Sequence, residues 1–225
     1  VENNGLKHIA VAGNIGVGKT TLVEILAETY GWKAEFESVE DNPYLSDFYQ
    51  DMKKWAFQLQ VYFLNTRLSQ IKKAREAQLT VIQDRTIYED AFIFSKILCS
   101  SGFLSRRDYD TYLNLFDSIQ EMIPPPDLII YLQSEVSQSL HNIKKRGRLI
   151  EKDISPTYLQ SLHDSYEEWA SRYNAGRLLT LNVNGLDQHP ALWANSFQLC
   201  LLTSGTNVAR KFTDWPVKQC SGIKN

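Results

Sequence analysis

Histidine, cysteine and methionine are scarce in this 225-residue chain, with four, three and two of each. The cysteines, Cys99, Cys200 and Cys220, lie far apart and show no metal-ligand spacing. Their odd number argues against a disulfide framework, so free thiols in a reducing compartment are expected. The histidines, His8, His141, His163 and His189, share no spacing, and no chemistry is assigned to them. There is no basic excess: the net charge is -2, with 24 Lys and Arg against 26 Asp and Glu. This argues against a nucleic acid polymer as partner, because binding a phosphate backbone needs a cationic surface. No apolar run approaches the roughly 20 residues that span a bilayer. The segment Val1 to Lys7 has no apolar signal core. A cytoplasmic protein without a membrane partner is therefore expected. No internal repeat or low-complexity segment stands out.

What is present is apolar material in short runs. Hydrophobic residues make up 43% of the chain. That supports one sizeable core and one domain over 1–225. His8 to Ala12, Leu79 to Gln83, Asp127 to Leu132 and Arg177 to Val183 read as buried strands, and Lys33 to Phe36 as a weaker one. Amphipathic stretches separate them: Lys19 to Tyr30, Trp55 to Ala77, Ile87 to Leu98, Arg106 to Met122, Val136 to Lys145 and Pro156 to Tyr173. In Trp55 to Ala77 the apolar positions Phe57, Val61, Leu64, Leu68 and Ile71 follow the spacing of one helix face. Pro124-Pro125-Pro126 stops a helix before the strand that follows. Near-continuous apolar strands alternating with helices imply an α/β fold, with a parallel sheet covered on both faces. The tail from about Ser204 onward is polar and aperiodic, and no role is assigned to it.

The first strand runs into Gly13-Asn14-Ile15-Gly16-Val17-Gly18-Lys19-Thr20, followed by Thr21 and a helix. This is the G-x-x-x-x-G-K-[ST] phosphate loop in its required strand–loop–helix setting. Its glycines let the backbone wrap closely around phosphate. Its amides and the helix N-terminus present N–H groups to an anion. Lys19 is expected to reach the β- and γ-phosphates, and the Thr20 hydroxyl to ligate Mg²⁺. Such a loop identifies a nucleoside triphosphate as donor but does not name the acceptor.

Other groups bear on the acceptor. Glu37-Ser38-Val39 follows the second strand, where a parallel sheet opens its ligand crevice. Asp84-Arg85-Thr86 follows the third strand, and Tyr88-Glu89-Asp90 comes just after it. Gln60 and Arg67 stand seven residues apart on the long helix. Two turns of helix place them on one face. Lys144-Lys145-Arg146-Gly147-Arg148 precedes Glu151. With these motifs in this order, the sequence from about His8 to Val183 resembles the deoxynucleoside kinase family. It is similar to the bacterial deoxyadenosine/deoxyguanosine kinase branch.

The resemblance implies a P-loop kinase fold with a five-stranded parallel sheet and a short basic lid at about 145–153. It implies that Glu37 accepts the proton of the 5′-hydroxyl. Ser38 departs from the proline that many members carry next to that carboxylate. Arg85 is implied to hold the 5′-oxygen and the phosphate, and Asp84 the Mg²⁺ shell. Gln60, Arg67 and Asp90 are implied to bind the base, and Tyr49 and Glu151 the sugar 3′-hydroxyl. Arg146 and Arg148 match lid arginines. Asn142 stands where the animal enzymes have arginine, and Lys144 or Lys145 is expected to compensate. A homodimer through Trp55 to Ala77 and Ile87 to Leu98 is implied as well.

These residue types suit phosphoryl transfer, which depends on positioning and on positive charge around the transferred group. Arginine's planar fork donates two parallel hydrogen bonds to phosphate. The polar set Gln60, Arg67 and Asp90 disfavours the thymine methyl, and purine preference rests on the branch resemblance. Two other readings share the loop. One is a nucleoside monophosphate kinase, which needs further cations for the acceptor phosphate. The other is a non-catalytic subunit, against which Lys19, Glu37, Asp84 and Arg85 all argue.

Overall fold

The strand His8–Gly13 (β1) is the driest part of the chain: Ile9, Ala10, Val11 and Ala12 have no exposed surface. It lies at the centre of a five-stranded sheet in the order β2-β3-β1-β4-β5. Its partners are β2 (Lys33–Glu35), β3 (Val81–Asp84), β4 (Leu128–Gln133) and β5 (Leu178–Asn182), and every pairing is parallel. The computed structural model describes residues 7–36, 41–76, 78–148 and 154–185. The tail beyond 185 lies outside the described residues, as do Glu37 and Glu151.

The helices connect these strands. After β1 comes α1 (Lys19–Tyr30). After β2 come α2 (Leu45–Gln50) and α3 (Met52–Glu76). After β3 come α4 (Ile87–Glu89), a π turn (Asp90–Phe94), α5 (Ser95–Ser100) and α6 (Arg106–Met122). After β4 come α7 (Val136–Arg146) and α8 (Pro156–Arg172). Two core layers sandwich the sheet. Ile9 and Val11 pack with Leu22, Val23 and Leu26 of α1 on one face. Ala10 and Ala12 point to the other, with Tyr88, Tyr112, Phe116, Tyr166 and Trp169.

The expected elements form, with shifted edges. The weak strand is a three-residue edge strand with partly exposed residues. The third strand begins at Val81, not Leu79, whose side chain is half exposed. The long helix starts three residues early, because Asp51 accepts from the Lys54 N–H and stabilises its first turn. The helix expected over Ile87 to Leu98 is interrupted by the π turn and runs to Ser100. The triple proline separates α6 from β4 as expected. The short helix α2 has too few turns to show a periodicity. No helix among the described residues is long and apolar enough to cross a membrane.

Adjacent strands β1 and β3 send their following helices to opposite faces. That makes a topological switch point, where a crevice opens beyond the strand C-termini. Register places Val11 beside Asp84, so the phosphate loop and Asp84-Arg85 emerge side by side.

Candidate active site

The loop from Gly13 to Gly18 is shaped by close approaches. A Cβ on Gly16 would stand 2.6 Å from the Ser139 carbonyl oxygen of α7, and its φ is 80°. A Cβ on Gly13 would stand 2.9 Å from the Leu132 carbonyl oxygen. The loop is also tied from outside. Asn14 Nδ2 donates to the Leu159 carbonyl at 3.0 Å, and Asn142 Nδ2 donates to the Gly16 carbonyl at 2.8 Å. No side chain caps α1, and its N-cap Gly18 is left-handed with φ 102°. The first-turn amides of α1, Lys19, Thr20 and Thr21 among them, thus start a helix whose N-terminus suits an anion. Buried Lys19 donates from Nζ to the carbonyls of Gly13 and Asn14, both at 2.9 Å. Ile15 and Val17 fill the loop's apolar side: Val17 is buried, and Ile15 packs on the core.

Beside the loop, Thr20 Oγ1 donates to Asp84 Oδ2 at 2.6 Å. The other carboxylate oxygen, Oδ1, is buried with no hydrogen-bond partner. A hydroxyl and an orphaned carboxylate oxygen next to a phosphate loop fit Mg²⁺. That ion takes one or two protein oxygens and completes its shell with phosphates and water. Arg85 sits in the left-handed region with φ 73°, a strained conformation for a side chain of this size. Its guanidinium lies 4.6 Å from the Phe94 ring and donates from Nη1 to the Tyr166 hydroxyl at 3.0 Å. Burial, and then the nearby Glu89 charge, push the Tyr166 phenol well above its ordinary range, so it stays protonated.

A second cluster lies along α3. Gln60 and Arg67 share a face as expected, but that face is buried: they are 4% and 2% exposed. Arg67 Nε donates to Asp90 Oδ2 at 2.6 Å, and Nη1 donates to the Asp84 carbonyl at 3.1 Å. The Arg67–Asp90 pair is therefore anchored to the same strand end as the Thr20–Asp84 contact. Gln60 Oε1 is a buried acceptor with no partner. The Tyr112 hydroxyl is also buried without a partner, and its phenol is raised by burial and then by Asp90. Tyr49, on α2, is 45% exposed. The Tyr158 phenol is pushed up to about 12, by burial first and then by Tyr49, with Arg85 acting the other way. Arg146 and Arg148 are exposed around Gly147, the left-handed C-cap of α7.

The family model for deoxynucleoside kinases matches residues 9–213. The chain belongs to the deoxynucleoside kinase family. It stands on the deoxyadenosine/deoxyguanosine kinase branch. It is 42% identical over 181 residues to deoxyadenosine/deoxycytidine kinase of Bacillus subtilis, covering 80% of this chain and 83% of that one. Deoxyadenosine kinase of Dictyostelium discoideum is 47% identical over 169 residues, covering 74% and 69% of the two chains. Among solved structures, deoxyadenosine kinase from M. mycoides with bound dCTP superposes with a TM-score of 0.73. It is 31% identical and covers 85% of this chain and 98% of that one.

In this deoxynucleoside kinase the predicted groups fall into two sets joined at Asp84. Lys19, Thr20, Asp84 and Arg85 meet at the phosphate loop, and Gln60, Arg67 and Asp90 form a second, buried polar set along α3. Glu37 and Glu151 lie outside the described residues. Asn142 takes up a loop carbonyl and so tethers the loop to α7. Sequence reasoning passed over Glu89, Tyr112, Tyr158 and Tyr166. For Glu89 a signal existed: Thr86-x-x-Glu89 is a capping-box spacing, and both reciprocal bonds of the box are made. The tyrosines carry no local signal, since only the fold brings α6 and α8 to the crevice.

Proposed function

We propose that this deoxynucleoside kinase transfers the γ-phosphate of ATP to the 5′-hydroxyl of deoxyadenosine in preference to other acceptors. The observation that carries the base choice is the buried, unpartnered acceptor Oε1 of Gln60, beside the Arg67–Asp90 pair. Adenine and cytosine each bring an exocyclic amino group to such an acceptor, where guanine carries a carbonyl. Thymine brings a carbonyl and a methyl group. Leaving a buried polar group unpaired costs about 1–3 kcal/mol, enough for strong discrimination. The relatives named for deoxyadenosine support the same choice.

In the reaction, Glu37 accepts the 5′-hydroxyl proton while the 5′-oxygen forms its bond to the γ-phosphorus. The bond from that phosphorus to the ADP oxygen breaks in line. Lys19 leaves its two loop carbonyls to meet the β- and γ-phosphates. Arg85, with Arg146 and Arg148 from the lid, gathers charge on the transferred group. Tyr49 and Glu151 orient the sugar through its 3′-hydroxyl. Thr20 and Asp84 hold Mg²⁺, which neutralises phosphate charge when bound. One domain over 1–225 acts as a cytoplasmic homodimer through α3 and the α4–α5 segment, and a monomeric mass in solution would refute that assembly.

The test is steady-state kcat/KM for the four deoxynucleosides with ATP and Mg²⁺. Deoxyadenosine is expected to lead and thymidine to trail. A lead by thymidine or deoxyguanosine overturns the base assignment. A requirement for a 5′-monophosphate acceptor overturns the nucleoside reading.

A further inference from the structure

We propose that Glu89 is a positioning residue that locks the phosphate loop and Arg85 into one unit. The proposal rests on the reading above of Arg85 and the loop as phosphate-binding groups. Glu89 has no exposed surface. Its Oε1 accepts from the Gly13 N–H at 3.2 Å and from the Tyr166 hydroxyl at 2.8 Å, and lies 3.6 Å from Arg85 Nη1. Its Oε2 accepts from the Thr86 N–H at 2.7 Å. Both oxygens thus face donors.

A capping box accounts for only part of this. It needs one carboxylate oxygen returned to its own N-cap, and it works on the surface. Here the second oxygen reaches across 76 positions of sequence to the last residue of β1. Burying a carboxylate is costly unless it is paired and hydrogen-bonded, so the arrangement calls for a return beyond one helix turn. That return lies in what the carboxylate joins. Gly13 opens the phosphate cradle at the end of β1. Arg85 leaves the end of β3 in a strained backbone conformation that its surroundings must hold. Tyr166 completes the link, accepting from Arg85 and donating to Glu89. One carboxylate therefore fixes the distance between the donor-phosphate cradle and the cation that meets the transferred phosphate. The Arg67–Asp90 pair meets the same strand end through the Asp84 carbonyl, not through the Glu89 carboxylate contacts named above.

The test compares Glu89→Gln, Tyr166→Phe, Arg85→Lys and the double variant Glu89→Gln/Arg85→Lys, with deoxyadenosine and ATP. A carboxamide sets a donor against one of the donors now surrounding Glu89. The expected result is a kcat lower by about 10²-fold, the scale of an ångström-sized misplacement of a catalytic group. The KM for ATP should rise and the KM for deoxyadenosine should stay unchanged. The double variant should be no slower than Arg85→Lys alone, because residues acting as one unit are not additive. A merely structural glutamate would instead multiply its loss with that of Arg85→Lys, and this result overturns the proposal. So does a Glu89→Gln enzyme with normal kcat beside a slow Arg85→Lys. Full turnover in Arg85→Lys would instead sink the reading of Arg85 itself. Should Glu89→Gln fail to fold, Tyr166→Phe decides: a lower kcat at unchanged deoxyadenosine KM supports the link, and an unchanged kcat overturns it.

Discussion

The two faces of the sheet are built to different rules. The face under α1 is aliphatic at its centre: Ile9, Val11, Leu22, Val23, Ile25, Leu26 and Ile82 fill it, and among the described residues its aromatic rings, Tyr30 and Trp32, are only partly buried. The opposite face carries Tyr88, Tyr112, Phe116, Tyr131, Tyr166 and Trp169. It also adjoins the buried charges of Arg67, Asp90, Arg85 and Glu89. Strand β1 makes the division visible in alternate residues, with Ile9 and Val11 on one side and Ala10 and Ala12 on the other. Small residues leave depth for long polar side chains and for a ligand. The aliphatic face supplies burial free energy, and the aromatic face gives some of it up to hold charges in water-poor surroundings.

Substitutions on the two faces should therefore separate activity from stability. Replacement of Glu37 by Gln should lower kcat by about 10²- to 10⁴-fold. Deoxyadenosine binding and the melting temperature should stay near those of the parent, and full turnover would remove Glu37 from the chemistry. Next in size, Arg67→Met combined with Asp90→Ala should change which base is used. Deoxyadenosine kcat/KM should fall and thymidine kcat/KM rise, by a factor that about 1–3 kcal/mol of polar discrimination sets. Both partners must go, because removing one leaves an uncompensated buried charge. Unchanged thymidine activity would dissolve the base-pocket assignment.

On the aliphatic face, Leu22→Ala should cost about 2–5 kcal/mol in denaturant unfolding and leave the KM values of the folded enzyme alone. A shift in base preference there would break the division between faces. The smallest effect belongs to His8 at the far end of β1. Burial holds its pKa below the ordinary value, against a raising contribution from its bond to Gln83. A depressed folded pKa means the unfolded chain takes the proton more readily. Stability should therefore be fully present above about pH 6.5 and decline as pH falls through the lower folded value. His8→Gln should flatten that part of the melting-temperature profile.

Much of this molecule was legible in its residues. Helices α1 and α6 begin and end where the pattern placed them, because Gly31 at one C-cap and Ser105 at the other N-cap are unambiguous punctuation. The phosphate loop announced itself through local geometry that only its glycines allow. Gln60 and Arg67 were readable as partners by spacing, yet nothing in a polar stretch of helix says that it will be buried. That depends on Asp90, which reaches Arg67 from a π turn, and a π turn has no sequence period to detect. Tyr166 lies 77 positions from the carboxylate it serves, and such pairings exist only once the sheet has ordered its strands.

The Asn142 side chain, which donates to the Gly16 carbonyl, makes the phosphate loop a strapped object. With Asn14 donating to the Leu159 carbonyl of α8, the loop is held by two amide side chains, one arriving from α7 and one leaving for α8. Its shape is therefore a property of three segments of the chain, two of them remote from the loop in sequence, and a change in either helix is felt at the cradle.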